Sequence, residues 1–259
     1  MKIGIFDSGL GGLFLMKPIV EALPQYDYIY LGDTANLPYG DKSPDEVYRL
    51  ALASVKYLLQ HDCVLVLVMC NTISAEALRR LQGEGYRALG IIIPTVEEVR
   101  GERIGVLATQ GTVNSETYIK EIHKLLPNAH VFQQAAPKLV PIIESGKKVS
   151  DTLLHEYLEP LLANNIDTLI LGCTHYVVLK DLVRQLVPKN VRIISQDELI
   201  ADKVRDYLSS HPEIELALTK NGMREYQVTK LTPNLSNTHH PWFEHFGNVD
   251  RSLFRLVVL

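Results

Sequence analysis

The chain has 259 residues, a length that fits one large domain or two moderate ones. Its hydrophobic content of 46% and charged content of 22% are those of an ordinary globular protein with a substantial core. The net charge of -4 comes without a basic block, which gives no support to nucleic-acid binding, and no apolar stretch reaches the length of a membrane span. We expect a cytoplasmic protein, because the chain opens directly on a strand-like segment without a charged leader and apolar signal region.

Strand-like and helix-like segments alternate along most of the chain, a pattern that predicts parallel sheets with right-handed crossovers. The first strand leads into a glycine-rich turn at 7–12 and a helix that Pro24 stops. Ser43 is a predicted N-cap, with Pro44 at the first helical position and acidic residues at the positive end of the helix dipole. Later helices are predicted to end near residues 61, 80, 126, 164, 186 and 208. The apolar runs predicted as strands are 2–6, 27–31, 64–70, 89–93 (broken by Pro94), 103–107, 129–133, 168–173 and 191–194.

The pattern changes after Pro212. Residues 213–219 and 226–231 alternate apolar and polar side chains, as strands with one wetter face do, and 252–259 is expected to add a last strand. The count of strands and helices restarts near residues 100–101. The sequence therefore predicts an α/β fold of two similar units that face each other.

Three cysteines, Cys63, Cys70 and Cys173, are too few for a disulfide framework. Cys63 stands at the entry to an apolar run and is interpreted as a small buried hydrophobic residue. No Cys or His pair has the spacing of a zinc site, so we expect no metal. The three histidines within 239–245 are interpreted as part of a solvated loop.

An apolar run that ends in a cysteine and small polar residues occurs twice, at 64–72 and 168–175. A lone cysteine at a strand end is more often packing than chemistry. Ligands of open parallel sheets, however, bind beyond the carboxyl ends of the strands, so Cys70 and Cys173 are expected to face one cleft. The following turn and helix are expected to stabilise a thiolate and to bind a carboxylate, with His175 as a proton partner. Two thiols on opposite faces of a carbon can remove one proton and return another, which inverts the centre.

A nucleotide site is the alternative for the glycine-rich turn after the first strand. The segment 9–12 does not match G-x-G-x-x-G, so dinucleotide binding is not favoured and no cofactor is expected.

Four motifs occur in order along the chain: Phe6-Asp7-Ser8-Gly9-x-Gly11-Gly12, Gly32-Asp33-Thr34-x3-Pro38-Tyr39-Gly40, Cys70-Asn71-Thr72 and Leu171-Gly172-Cys173-Thr174-His175-Tyr176. This ordered set resembles the glutamate racemases of the cofactor-independent aspartate/glutamate racemase superfamily. The histidine after the second Cys-Thr is more similar to glutamate racemases than to aspartate racemases. The motifs cover roughly residues 1–208.

The resemblance implies two α/β domains related by an approximate two-fold axis, with the active site between them. The first domain would comprise 1–96 plus 209–259 and carry Cys70, and the second would comprise 97–208 and carry Cys173. It also implies a homodimer that needs no cofactor and interconverts L- and D-glutamate, supplying D-glutamate for peptidoglycan.

The resemblance further implies the residue roles. Cys70 would act on the D-enantiomer beside Asp7, and Cys173 on the L-enantiomer beside His175, with Glu144 as a further acid near the second thiol. The residues implied to hold glutamate are Asp7, Ser8, Pro38, Tyr39, Gly40, Cys70, Asn71, Thr72, Thr112, Cys173, Thr174 and His175.

The chain departs from the family pattern at Ala136, where the family often has cysteine, at 195–197 and around 229–233. Two alternatives stay open: an aspartate or hydantoin racemase of the same superfamily, and a weakly active homologue that acts by binding a partner protein. The retained thiols, Asp7 and His175 argue against the second alternative.

Overall fold

The computed structural model describes residues 1–231, 235 and 253–259 and has two parallel sheets surrounded by helices. The strands are β1 (Lys2–Asp7), β2 (Tyr28–Gly32), β3 (Cys63–Val68), β4 (Ala88–Gly90), β5 (Arg103–Ala108), β6 (His130–Ala135), β7 (Thr168–Gly172), β8 (Arg192–Ile194), β9 (Arg224–Val228) and β10 (Phe254–Leu256). The helices are α1 (Gly12–Ala22), α2 (Pro44–Gln60), α3 (Asn71–Glu76), α4 (Leu78–Gly83), α5 (Ile92–Glu97), α6 (Gln110–Ser115), α7 (Thr117–Leu125), α8 (Leu139–Glu144), α9 (Asp151–Leu162), α10 (Lys180–Leu186), α11 (Ile200–Ser210) and α12 (Pro212–Glu215). Short 3₁₀ helices span Tyr39–Asp41, Thr174–Leu179 and Gln196–Glu198.

The first sheet has the strand order β10-β9-β2-β1-β3-β4, and the second has the order β6-β5-β7-β8. In the first sheet, Phe6 of β1 lies opposite Leu31 and Val68. In the second, Ala108 of β5 lies opposite Gly172. Because every pairing among the described strands is parallel, the carboxyl ends of the strands share one edge of each sheet. The predicted α/β fold with parallel sheets is confirmed.

The end of the chain returns to the first sheet, where β9 pairs with β2 and β10 pairs with β9. Helix α11 comes from the second series of elements, yet its Val204 and Leu208 share one buried cluster with Leu13 and Phe14 of α1. The division into 1–96 plus 209–259 and 97–208 stays a prediction. The histidines within 239–245 and Ser252 lie outside the described residues.

Two predicted helix starts show the expected capping chemistry. The hydroxyl of Ser43 accepts a hydrogen bond from the N–H of Glu46 at 3.3 Å, one residue before Pro44 opens α2. Ser150 caps α9 in the same way through the N–H of Leu153 at 3.2 Å. Each such cap stabilises its helix by about 1 kcal/mol.

Some predicted elements are wrong. Residues 213–219 form no strand: α12 and a turn occupy that stretch, and Ile214 of the helix and Leu218 of the turn are both buried. The fourth strand ends at Gly90, and Pro94 lies in the first turn of α5, where its missing N–H costs no hydrogen bond. The single helices predicted after Cys70 and Thr112 are each divided in two, at Ala77 and at Glu116.

Within the described part of the chain, no helix combines the length and the apolar composition needed to cross a bilayer.

Candidate active site

The carboxyl edges of both sheets meet at one pocket of about 470 Å³, counting the part open to solvent. Ser8 follows β1, Thr109 follows β5 and Ala136 follows β6. Cys70 enters the pocket from the first sheet and Cys173 from the second. The other lining residues are Leu37, Pro38, Tyr39, Gly40, Asp41, Asn71, Thr72, Gln110, Pro137, Val140, Thr174 and His175.

The two thiols occupy equivalent positions in their sheets. Each cysteine is the extended residue before a helical turn, Cys70 before α3 and Cys173 before a 3₁₀ helix. Each is only 6% exposed. One cysteine from each half of the chain therefore lines this pocket.

The Cys70 thiol lies 3.3 Å from the hydroxyl of Ser8. Burial raises the pKa of Cys70 to about 12, and the nearby charge of Asp7 adds to the rise. Hydrogen bonds from Ser8 and the N–H of Ile73 lower the pKa by less. The expected stabilisation of a Cys70 thiolate by its helix is outweighed, since α3 has only six residues and the desolvation of a buried sulfur is larger.

Asp7 is fully buried and is not among the residues that line the pocket. Its Oδ2 accepts hydrogen bonds from the N–H groups of Gly9 at 3.2 Å and Gly12 at 2.9 Å, while Oδ1 has no hydrogen-bond partner among the described residues. Burial raises the pKa of Asp7 to about 6, although the charge of His175 and the two N–H groups oppose the rise. This carboxyl can therefore exchange a proton near neutral pH.

A chain of contacts leads from the second thiol to a carboxylate. His175 Nδ1 is 3.7 Å from Cys173 Sγ, and His175 Nε2 is 2.6 Å from Glu144 Oε1. The same carboxylate oxygen accepts from the N–H of Leu10 at 3.3 Å. Burial alone would lower the pKa of His175, but the hydrogen bonds to Cys173 and Glu144 raise it well above its ordinary value. A protonated His175 can therefore hold or return a proton at the Cys173 sulfur.

The loop that carries Pro38, Tyr39 and Gly40 is anchored by the buried carboxylate of Asp33. That carboxylate accepts from the Tyr39 hydroxyl at 2.5 Å and from the Thr229 hydroxyl at 2.6 Å. Tyr39 lines the pocket with its hydroxyl already engaged, so it shapes the wall and does not donate to a ligand.

Thr109 is a pocket residue that the motifs did not single out. Its hydroxyl lies 2.9 Å from the hydroxyl of Thr72, donates to that of Thr112 at 3.0 Å, and accepts from the N–H of Thr112 at 3.3 Å. Thr112, which was predicted to bind substrate, is fully buried and does not line the pocket. It is hydrogen-bonded to the pocket residue Thr109. The signal was present in the sequence, because Thr109 lies just beyond the carboxyl end of a strand, as the two thiols do.

Cys63 lies away from this pocket, at the start of β3, and is 4% exposed within a hydrophobic cluster. Burial raises the pKa of its thiol to about 12, as expected of a packed cysteine. Among residues 1–231, 235 and 253–259, no group of three or more His, Cys, Asp and Glu side chains is arranged to hold a metal ion.

Comparison with protein families matches residues 7–203 to the Asp/Glu/hydantoin racemase model, which is most of the chain. The chain belongs to the Asp/Glu/hydantoin racemase family. One similar relative is a protein named glutamate racemase from Geobacter metallireducens, 41% identical over 237 residues, with 88% of this chain and 87% of the relative covered.

Solved structures of the Asp/Glu/hydantoin racemase family agree with the fold. Glutamate racemase from Francisella tularensis, solved in complex with D-glutamate, has a TM-score of 0.86 at 30% identity and covers 99% of this chain and 97% of its own. Glutamate racemase isoform RacE1 from Bacillus anthracis has a TM-score of 0.87 at 30% identity, with 100% and 97% covered. The predicted class of enzyme, an isomerase that acts as an amino-acid racemase, is confirmed.

Proposed function

We propose that the chain is a glutamate racemase that interconverts L- and D-glutamate through Cys70 and Cys173 without a cofactor. The observation that carries the proposal is that one thiol from each sheet lines the same pocket. Relatives named glutamate racemase, at 41% identity and over most of both chains, support the choice of substrate.

Inversion of the α-carbon requires an acid and a base on opposite faces. In the L-to-D direction the Cys173 thiolate removes the α-proton and the Cys70 thiol donates a proton to the other face. Burial and the charge of Asp7 raise the pKa of Cys70, so this sulfur carries its proton at neutral pH and serves as the acid. In the opposite direction Cys70 must first lose that proton, and the carboxylate of Asp7 is the neighbouring group that can accept it.

The second thiol has its own proton partner. After Cys173 has taken the α-proton, His175 can exchange a proton with this sulfur through Nδ1, 3.7 Å away. Glu144 holds the imidazole at Nε2 and favours its charged form. Thus each sulfur is served by a buried acid or imidazole, Asp7 on one side and the His175–Glu144 pair on the other.

The experiment is a coupled set of three cysteine variants. Circular dichroism of L-glutamate, and separately of D-glutamate, follows racemisation with the purified chain and no added cofactor. Cys70→Ser and Cys173→Ser are each expected to lose racemisation by at least about 100-fold, because inversion needs a proton-transfer group at each face. Cys63→Ala is the matched control and is expected to keep the activity. Full activity in either of the first two variants rules out the two-thiol reaction.

The same assay with L-aspartate and a hydantoin tests the alternative substrates. Loss of the circular dichroism signal with glutamate alone supports the proposal. A faster loss with L-aspartate or the hydantoin would identify that compound as the preferred substrate instead. Inertness to all of them leaves the partner-binding alternative.

The biological role and the assembly are further proposals. We propose that the product D-glutamate enters peptidoglycan synthesis in the cytoplasm and that the chain works as a homodimer. Bacterial relatives such as that of Geobacter metallireducens support the first part. Light scattering on the purified chain measures the mass, and a mass of about 29.1 kDa would exclude the dimer.

A further inference from the structure

A buried polar network links the Cys70 turn to distant parts of the chain. Asn71, Thr95, Tyr118 and Gln196 are each at most 1% exposed. They come from α3, α5, α7 and the 3₁₀ helix after β8. Only Asn71 of these four lines the pocket.

Gln196 and Asn71 form a reciprocal pair of amides. Asn71 Nδ2 donates to Gln196 Oε1 at 2.9 Å, and Gln196 Nε2 donates to Asn71 Oδ1 at 2.9 Å. By itself such a pair has two equivalent orientations, because both amides can turn over together and exchange donors for acceptors.

Thr95 decides between these orientations. Its hydroxyl donates to the carbonyl oxygen of Ile91 at 2.7 Å, so its only proton is used and Oγ1 acts as an acceptor. Gln196 Nε2 lies 3.1 Å from that Oγ1, which places the amide nitrogen of Gln196, and not its oxygen, on this side. The oxygen of Gln196 then faces Asn71 Nδ2.

The orientation of Asn71 follows from that of Gln196. Its Oδ1 accepts from two donors, Gln196 Nε2 and the hydroxyl of Tyr118 at 2.8 Å, so both lone pairs are used. One Nδ2–H is bound by Gln196. The second Nδ2–H has no hydrogen-bond partner among the described residues, and Asn71 is one of the residues that line the pocket.

We infer that Gln196 is a positioning residue that presents Asn71 to the pocket as a hydrogen-bond donor for a carboxylate of the substrate. The inference rests on the proposed racemisation of glutamate. A donor at this point suits a substrate whose carboxylates are acceptors only, and it suits the reaction because negative charge grows on the α-carboxylate as the α-proton leaves. Gln196 itself does not line the pocket and acts through Asn71.

The test uses steady-state kinetics with L-glutamate at a fixed pH of 8. Gln196→Met removes the whole pair, and Gln196→Glu keeps the size but supplies only acceptors at this pH. Each is expected to lower kcat/KM by about 10- to 100-fold, the effect of losing one hydrogen bond to a charged group. Asn71→Ala is expected to show a loss of the same size.

The double variant Asn71→Ala/Gln196→Met separates positioning from a general structural role. If Gln196 acts through Asn71, the double variant loses no more than about threefold beyond Asn71→Ala alone. Gln227→Met is the matched control, because Gln227 is also a buried glutamine (4% exposed) but lies on β9. This variant is expected to change thermal stability without changing kcat/KM.

Three outcomes overturn the inference: wild-type kinetics in Gln196→Met, losses that add in the double variant, or a loss of the same size in Gln227→Met. A wild-type chain that does not racemise glutamate would instead overturn the proposed function, so the two failures are distinguishable.

Discussion

The buried carboxyl of Asp7 is expected to reduce the stability of the folded chain at neutral pH. Its pKa of about 6 lies above the ordinary value of 3.8, so the folded chain keeps a proton that the unfolded chain has already lost. The stability that this protonation contributes is fully present below pH 3.8 and is lost as the pH rises through 6. The difference of 2.2 pKa units (6 minus 3.8) corresponds to about 3 kcal/mol.

Asp7→Asn removes this pH-dependent loss of stability, because the amide does not titrate. The amide oxygen can still accept from Gly9 and Gly12, and the amide carries no charge to desolvate. The new N–H lacks a partner and costs about 1–2 kcal/mol at every pH. Between pH 4 and pH 8 the variant should therefore gain about 2–3 kcal/mol of unfolding free energy relative to the wild type.

Urea unfolding followed by far-ultraviolet circular dichroism at both pH values measures this gain. Asp27→Asn is the matched control. Burial alone would raise the pKa of Asp27, but hydrogen bonds from Thr219, Met223 and Asn221 lower it below 3.8, so Asp27 is ionised in both states over most of this range and the penalty of the variant should stay nearly constant between pH 4 and pH 8. Equal pH dependence of Asp7→Asn and wild type would refute the reasoning.

The same Asp7→Asn variant should lose activity. We expect kcat/KM to fall by about 100-fold or more, the usual contribution of a proton-transfer group. The factor by which kcat/KM falls should be the same for L- and D-glutamate. The equilibrium constant between the two enantiomers is one, and it fixes the ratio of the two kcat/KM values.

Two further predictions concern the second thiol. Gly11→Ala would place a Cβ 2.5 Å from Thr174 Oγ1 and 2.6 Å from His175 Nδ1, so we expect the activity to fall by at least about tenfold. Gly83→Ala is the control, because its Cβ would meet nothing within 4 Å, and it should leave the activity unchanged in the same assay. Glu144→Gln removes the charge that favours protonated His175, so the alkaline limb of the pH–activity profile should move to lower pH, and an unchanged limb would contradict the His175–Glu144 pairing.

The sequence predicted the strand–helix alternation well because apolar runs and capping residues act locally. The Ser43 cap is an example, since all of its contacts lie within three residues. The errors occurred where local patterns are ambiguous. Residues 213–219 alternate in polarity, but Ile214 and Leu218 are buried from a short helix and the turn after it; a separation of four residues fits both a strand period of two and a helical turn.

The sequence predicted those residues of the candidate site that lie at the carboxyl ends of strands. Cys70 and Cys173 could be assigned to one cleft because parallel strands share a carboxyl edge. Gln196 could not be found in this way. Its partner Asn71 is 125 residues away, and no local pattern encodes that contact.

By itself, the sequence determined the order of the elements and the placement of a thiol at the end of a strand in each half, because both follow from the local spacing of apolar, small and capping residues. Only the tertiary structure decided the pKa shifts of Asp7, Cys70 and His175. The raised pKa values of Asp7 and Cys70 come from burial, and that of His175 comes from contacts with Cys173 and Glu144. Burial and such contacts depend on segments that are distant in the chain and meet only when the two sheets come together.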